Sequence, residues 1–112
     1  MLVAFELSMP SRNSWDGNWS GDGRPFVRVK NLRKAQQVHV ADGGYWHYAF
    51  GDGWAAGVSA RVVDAAEARK LRRKTAGFDG YDWMIADIIE YGRIRKRVYV
   101  KNEGRYVPQF VD

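Results

Sequence analysis

The stretch from Tyr45 to Val63 constrains the fold more than any other part of the chain. Tyr45-Trp46-His47-Tyr48-Ala49-Phe50 and Trp54-Ala55-Ala56-Gly57-Val58-Ser59-Ala60-Arg61-Val62-Val63 each read with period two, and Gly51-Asp52-Gly53 sits between them. Aromatic and β-branched side chains suit a pleated surface, and a glycine-flanked turn lets the chain double back, so the segment predicts an antiparallel hairpin. The alternation places Trp46, Tyr48 and Phe50 on one face, with Trp54, Ala56, Val58, Ala60 and Val62 on one face of the partner strand. The result is a single aromatic wall.

The flanking sequence supplies more strands and two helices. Leu2 to Met9 sets Val3, Phe5, Leu7 and Met9 against Ala4, Glu6 and Ser8, a half-buried strand that Pro10 ends. Residues 11 to 24 are turn formers carrying Trp15 and Trp19, a loop with two anchors. After Pro25, Phe26 to Lys30 predicts a strand with Val27 and Val29 inward and Arg28 and Lys30 outward. Leu32 to Ala41 mixes both signals and is read as a short helix. Asp64 followed by Glu67 resembles a capping box, and Ala65 to Thr75 is rich in helix formers with Leu71 as its only large apolar residue. That helix should lie shallowly, with alanines inward and cations outward.

A second helix over 79–91 places Tyr81, Met84, Ile85, Ile88 and Ile89 on one face, and Gly92 stops it. Residues 94–101 and 105–111 alternate again, and Pro108 confines the last strand to an edge. The 112 residues therefore predict a single α+β domain over 1–112, an antiparallel sheet of four to six strands with two consecutive helices packed on one face. With no cysteine, disulfides and thiolate metal sites are excluded, and the core must come from the aliphatics and the aromatic side chains. No apolar run is long enough for a membrane span, and Glu6 interrupts the first residues too early for a secretory segment. The expected location is the cytoplasm.

Charge is the main functional signal. The formal net charge is +5, with a pI near 9.7, and the excess lies in three clusters. Arg28, Lys30, Arg33 and Lys34 form the first. Arg69, Lys70, Arg72, Arg73 and Lys74 form the second, and Arg93, Arg95, Lys96, Arg97 and Lys101 the third. Converging in space, they would attract a phosphate-bearing or acidic partner; scattered, they would serve solubility.

Catalytic and metal chemistry find little support. His39 and His47 are the only histidines, and Ser8 and Ser59 lie in or near strands without a nucleophile elbow. Asp64 and Glu67 ahead of Lys70 match a nuclease-like pattern, but helix capping accounts for both acids. Asp16, Asn18, Ser20 and Asp22 have the spacing of a calcium loop, yet Val27 stands where the bidentate glutamate belongs, so no metal or other cofactor is expected. A helix-turn-helix reading of 65–75 and 79–91 fails on charge, because the second helix carries Asp82, Asp87 and Glu90. Trp46, Trp54 and Trp83 read as core. Trp15 and Trp19, with Arg12 and Arg24, are the candidates for stacking a nucleotide.

The run Tyr48-Ala49-Phe50-Gly51-Asp52-Gly53-Trp54, the basic stretch after Val63, and Gly77-Phe78-Asp79-Gly80-Tyr81-Asp82-Trp83-Met84 resemble short uncharacterised proteins of phages, prophages and their bacterial hosts. The Phe-Gly-Asp-Gly-Trp core is also similar to a plasmid open-reading-frame family, with Ala49 in place of that family's aspartate. These resemblances bring no catalytic residue. They imply a mobile-element origin and a host cytoplasmic location. The expected function is non-enzymatic binding of nucleic acid or a nucleic-acid-containing host complex, including a defence nuclease, through Arg69, Lys70, Arg72, Arg73, Lys74, Arg95 and Arg97. The alternatives are a sponge for a nucleotide-type signal and a homo-oligomeric interaction protein.

Overall fold

The computed structural model describes residues 1–8, 26–51, 54–72 and 81–110. Strands β1 (Leu2–Ser8), β2 (Phe26–Asn31), β3 (Gly44–Gly51) and β4 (Trp54–Val62) form one antiparallel sheet in the order β2-β1-β4-β3. Helices α1 (Ala65–Arg72) and α2 (Asp82–Tyr91) follow, and β5 (Lys96–Val100) with β6 (Arg105–Gln109) makes a separate two-stranded ribbon. The expected hairpin is β3–β4, pairing Trp46 with Val58 and Tyr48 with Ala56, and its register shifts between Ala49 and Gly51. The α+β class and the antiparallel sheet are as the alternation predicts.

The expectation that both helices share one face is corrected. Val3, Phe5 and Leu7 of β1 join Ala56, Val58 and Ala60 of β4 and Met84, Ile85 and Ile88 of α2 in the main core. Ala4, between them, joins Val27, Val29, Val63 and Ala68 of α1 in a second cluster, with Leu71 packed against it. Successive strand residues point to opposite faces, so α2 covers one side of the sheet and α1 the other. Strand β1 is consequently buried on both sides, with Val3, Ala4, Phe5 and Leu7 each no more than 1% exposed. Val27 and Val29 are inward as expected, but toward α1. Arg28 turns to the α2 side, where its Nε lies 3.3 Å from Asp82 Oδ1.

The depth of each helix follows from its side chains. Helix α1 buries only Ala68 completely, while α2 buries Met84, Ile85, Asp87 and Ile88. Asp64 caps α1 as expected, its Oδ1 accepting the Glu67 N–H at 2.8 Å. The Glu67 carboxylate does not reach back. It takes Arg61 Nη1 at 2.6 Å instead, and Arg61 Nε contacts Glu6 at 3.1 Å, tying β4 to α1 and β1. Gly92 ends α2 with φ near 75°, donating to Ile88 O at 2.9 Å. The short helix expected within 32–41 shrinks to one 3-10 turn, Lys34–Gln36, because tertiary burial of Leu32 and Val40 draws the chain across the core edge.

Candidate functional site

The structure separates the three basic clusters. In the first, Arg28 meets Asp82, and Lys30 lines a cleft of about 650 Å³ between the end of β2, the 3-10 turn and α2. That cleft has Leu32, Ile85 and Ile89 in its apolar lining and mixes Lys30 and His39 with Asp82 and Glu90. It therefore has no preference for one sign of charge. Arg33 and Lys34 are exposed beside it.

In the second cluster, Arg69, Lys70 and Arg72 are exposed on α1, on the opposite side of the sheet from α2. Arg73 and Lys74 lie outside the described residues. So do Arg12, Trp15, Trp19 and Arg24, and the calcium-like spacing from Asp16 to Asp22. Among the described residues, no group of three or more metal-ligating side chains comes together.

In the third cluster, Arg95 and Arg97 close on Asp87, which α2 carries on its buried stripe. Arg95 donates to Asp87 Oδ1 from Nε at 3.3 Å and Nη2 at 3.1 Å, and its backbone N–H reaches Oδ2 at 2.9 Å. Arg97 Nη1 adds a 2.7 Å contact to Oδ2 and a 2.8 Å bond to Arg95 O. Burial pushes the Asp87 carboxyl upward in pKa. The hydrogen bonds from Arg97 and Arg95 outweigh that and hold it below the ordinary carboxylate range. The same contacts, with Asp87 first among the causes, raise the Arg95 guanidinium.

These two sequence-predicted binding residues thus have structural work. They fasten the chain after Gly92 to α2 and lead it into β5. The Arg97 guanidinium also lies 4.2 Å from the Trp83 ring centroid, and the Arg97 N–H donates to Tyr48 Oη at 3.0 Å. Trp46 and Trp83 are half-buried at the rim of the main core, as expected of core tryptophans, and Trp46 Nε1 donates to Gly92 O at 2.8 Å. The side chain of Trp54 lies outside the described residues.

His39 is exposed against Gly92, and His47 is exposed on the outward face of β3, opposite Gly57. The helices on opposite faces also exclude a helix-turn-helix arrangement. The Asp87 network is not among the features expected from sequence, although a signal is present: an acid three residues from Met84 on the apolar stripe, then alternate arginines beyond the Gly92 stop.

Comparison of the chain with protein-family models, with curated proteins and with solved structures found no match. No helix among the described residues is long and apolar enough to cross a membrane.

Proposed function

We propose that this protein is a non-catalytic binding protein whose basic helix α1 docks on the phosphates of a nucleic acid or a nucleic-acid-containing complex. The observation that carries the reading is the division of labour on α1. It gives the fold one fully buried residue, Ala68, and holds Arg69, Lys70 and Arg72 outward on a face of the sheet that α2 does not share. Arg95 and Arg97 bind Asp87 and fasten the chain after α2. Cations on a helix lying across a phosphate backbone give contact that is independent of base sequence and sensitive to salt. The resemblance to phage and prophage proteins supports an accessory role in a mobile element, directed at host nucleic-acid machinery such as an RNA-guided nuclease.

Fluorescence anisotropy with labelled duplex DNA and single-stranded RNA tests this. Three phosphate contacts predict a slope of roughly −3 in log affinity against log salt for the duplex. Charge reversal of Arg69, Lys70 and Arg72 together should abolish most of that slope while leaving the circular-dichroism spectrum and melting temperature near those of the parent. Binding that survives the triple reversal with its salt dependence intact would refute the assignment.

A further inference from the structure

Strands β5 and β6 pair with each other, apart from the main sheet, and the ribbon they form is fastened at its base. There Arg97 binds Asp87 through its guanidinium and Tyr48 Oη through its N–H, and Lys96 donates to Ala49 O. A two-stranded ribbon is marginal by itself in water, so these ties carry it. Toward the turn, Tyr99 stands directly opposite Tyr106, and the two rings meet edge-on with centroids 5.3 Å apart. They remain 55% and 67% exposed. An edge-on contact covers one face of one ring, so the pair keeps flat aromatic surface open to solvent. Val98, Val100 and Val107 alternate to the other side of the ribbon, where they are half-buried.

Area decides what such a surface can hold. A tyrosine buries about 150–250 Å² when fully covered. With the exposure left to Tyr99 and Tyr106, the pair offers less than about half of the roughly 800 Å² per partner that a stable protein interface needs. One ring face is enough for one base, and stacking of this kind tolerates any base sequence. The charge agrees. Residues 96–109 hold Lys96, Arg97, Lys101 and Arg105 against Glu103 as the single acid. Glu103 takes Arg105 Nε at 3.2 Å, and Lys101 is exposed where the turn leaves β5, two residues beyond Tyr99. The turn therefore keeps a net positive charge beside the rings, which suits a phosphate. Bases in a duplex are stacked on one another, whereas those of a single strand can be splayed onto aromatic side chains.

We infer that the β5–β6 ribbon binds single-stranded nucleic acid, with bases stacked on Tyr99 and Tyr106 and the adjoining backbone held by Lys101. The contact is made without α1 and holds whether or not that helix docks on phosphates.

Fluorescence anisotropy of the whole protein with a short labelled oligothymidylate tests the inference. Binding should saturate, and Tyr99→Thr and Tyr106→Thr, which keep a strand-forming side chain and remove the ring, should each weaken it about fivefold or more. Tyr99→Phe and Tyr106→Phe keep the ring and should stay within about twofold of the parent. Lys101→Gln should lower the slope of log affinity against log salt by about 0.7, the share of one phosphate contact on a single strand. Circular dichroism and a thermal melt check that each variant folds; leucine, apolar without a flat ring, replaces threonine where it does not. In the protein carrying the triple reversal on α1, single-strand binding should remain dependent on both tyrosines while duplex binding is lost, so the two sites fail separately. Absence of saturable binding, undiminished binding by the folded threonine or leucine variants, or an equal loss in the phenylalanine variants would overturn the proposal. So would a dimer in sedimentation that the threonine variants dissolve, which would assign the tyrosines to a second copy of the chain.

Discussion

Asp87→Ala isolates the contribution of the junction between α2 and β5. The substitution removes an acceptor that takes four hydrogen bonds, from the Arg95 backbone, two nitrogens of its guanidinium, and Arg97. Breaking a buried ion pair by deleting one partner costs about 3–5 kcal/mol, because the surviving charge is left without compensation. Here the arginine side chains remain 25% and 19% exposed, against 4% for Asp87, so both can recover some hydration. Arg97 also keeps its bond to Arg95 O and its place on the Trp83 ring. Alanine is the better helix former by about half a kcal/mol, which offsets a little more. The expected loss is therefore at the low end, about 3 kcal/mol, a large share of the roughly 5–15 kcal/mol that holds a domain together.

Urea unfolding followed by tryptophan fluorescence and circular dichroism should show the midpoint falling with an unchanged slope, and the melting temperature dropping by roughly 10–20 °C. The carboxyl has its pKa lowered in the folded state, so its contribution is complete above the unfolded value, near 3.8, and is lost as pH falls through the native value. The stability gap between parent and variant should stay constant from pH 8 to 5 and narrow below about pH 4. A loss under about 1 kcal/mol at neutral pH, or a gap that widens in acid, would show that the arginines do not depend on Asp87.

Two further substitutions probe the frame around these sites. Gly92→Ala should cost about 1–2 kcal/mol in chemical denaturation, because the cap has φ near 75° and an added Cβ would lie 3.1 Å from His39 Nδ1. Ala68→Leu should destabilise by about 1–3 kcal/mol, since α1 approaches Ala4, Val27 and Val29 through this small side chain; a neutral result would place α1 farther from the sheet.

The parts of the fold that could be read from sequence are those where one residue type carries one meaning. The hairpin was visible because aromatic and aliphatic residues alternate about Gly51-Asp52-Gly53, and α2 because its apolar residues repeat at helical spacing before a glycine stop. The Asp64 cap was visible for the same reason, although the second half of the box was not, because Glu67 had a competing partner in Arg61, distant in sequence. The shared face failed on Ala4. An alanine between Val3 and Phe5 is equally compatible with solvent and with close packing, so alternation alone reports one buried face where the structure has two.

The basic clusters were hidden by a different ambiguity. A count of +5 treats every arginine alike, whereas folding sorts them by which find a carboxylate. Asp87 takes Arg95 and Arg97, Asp82 meets Arg28, and α1 holds Arg69, Lys70 and Arg72 exposed on the face of the sheet opposite α2. What looked like one diffuse excess of charge becomes an exposed basic helix on one face of the sheet and an ion-paired junction after α2. Charge reversal on α1 therefore tests the proposed docking surface by itself, provided Asp87 and its arginines are left intact to hold the junction in place.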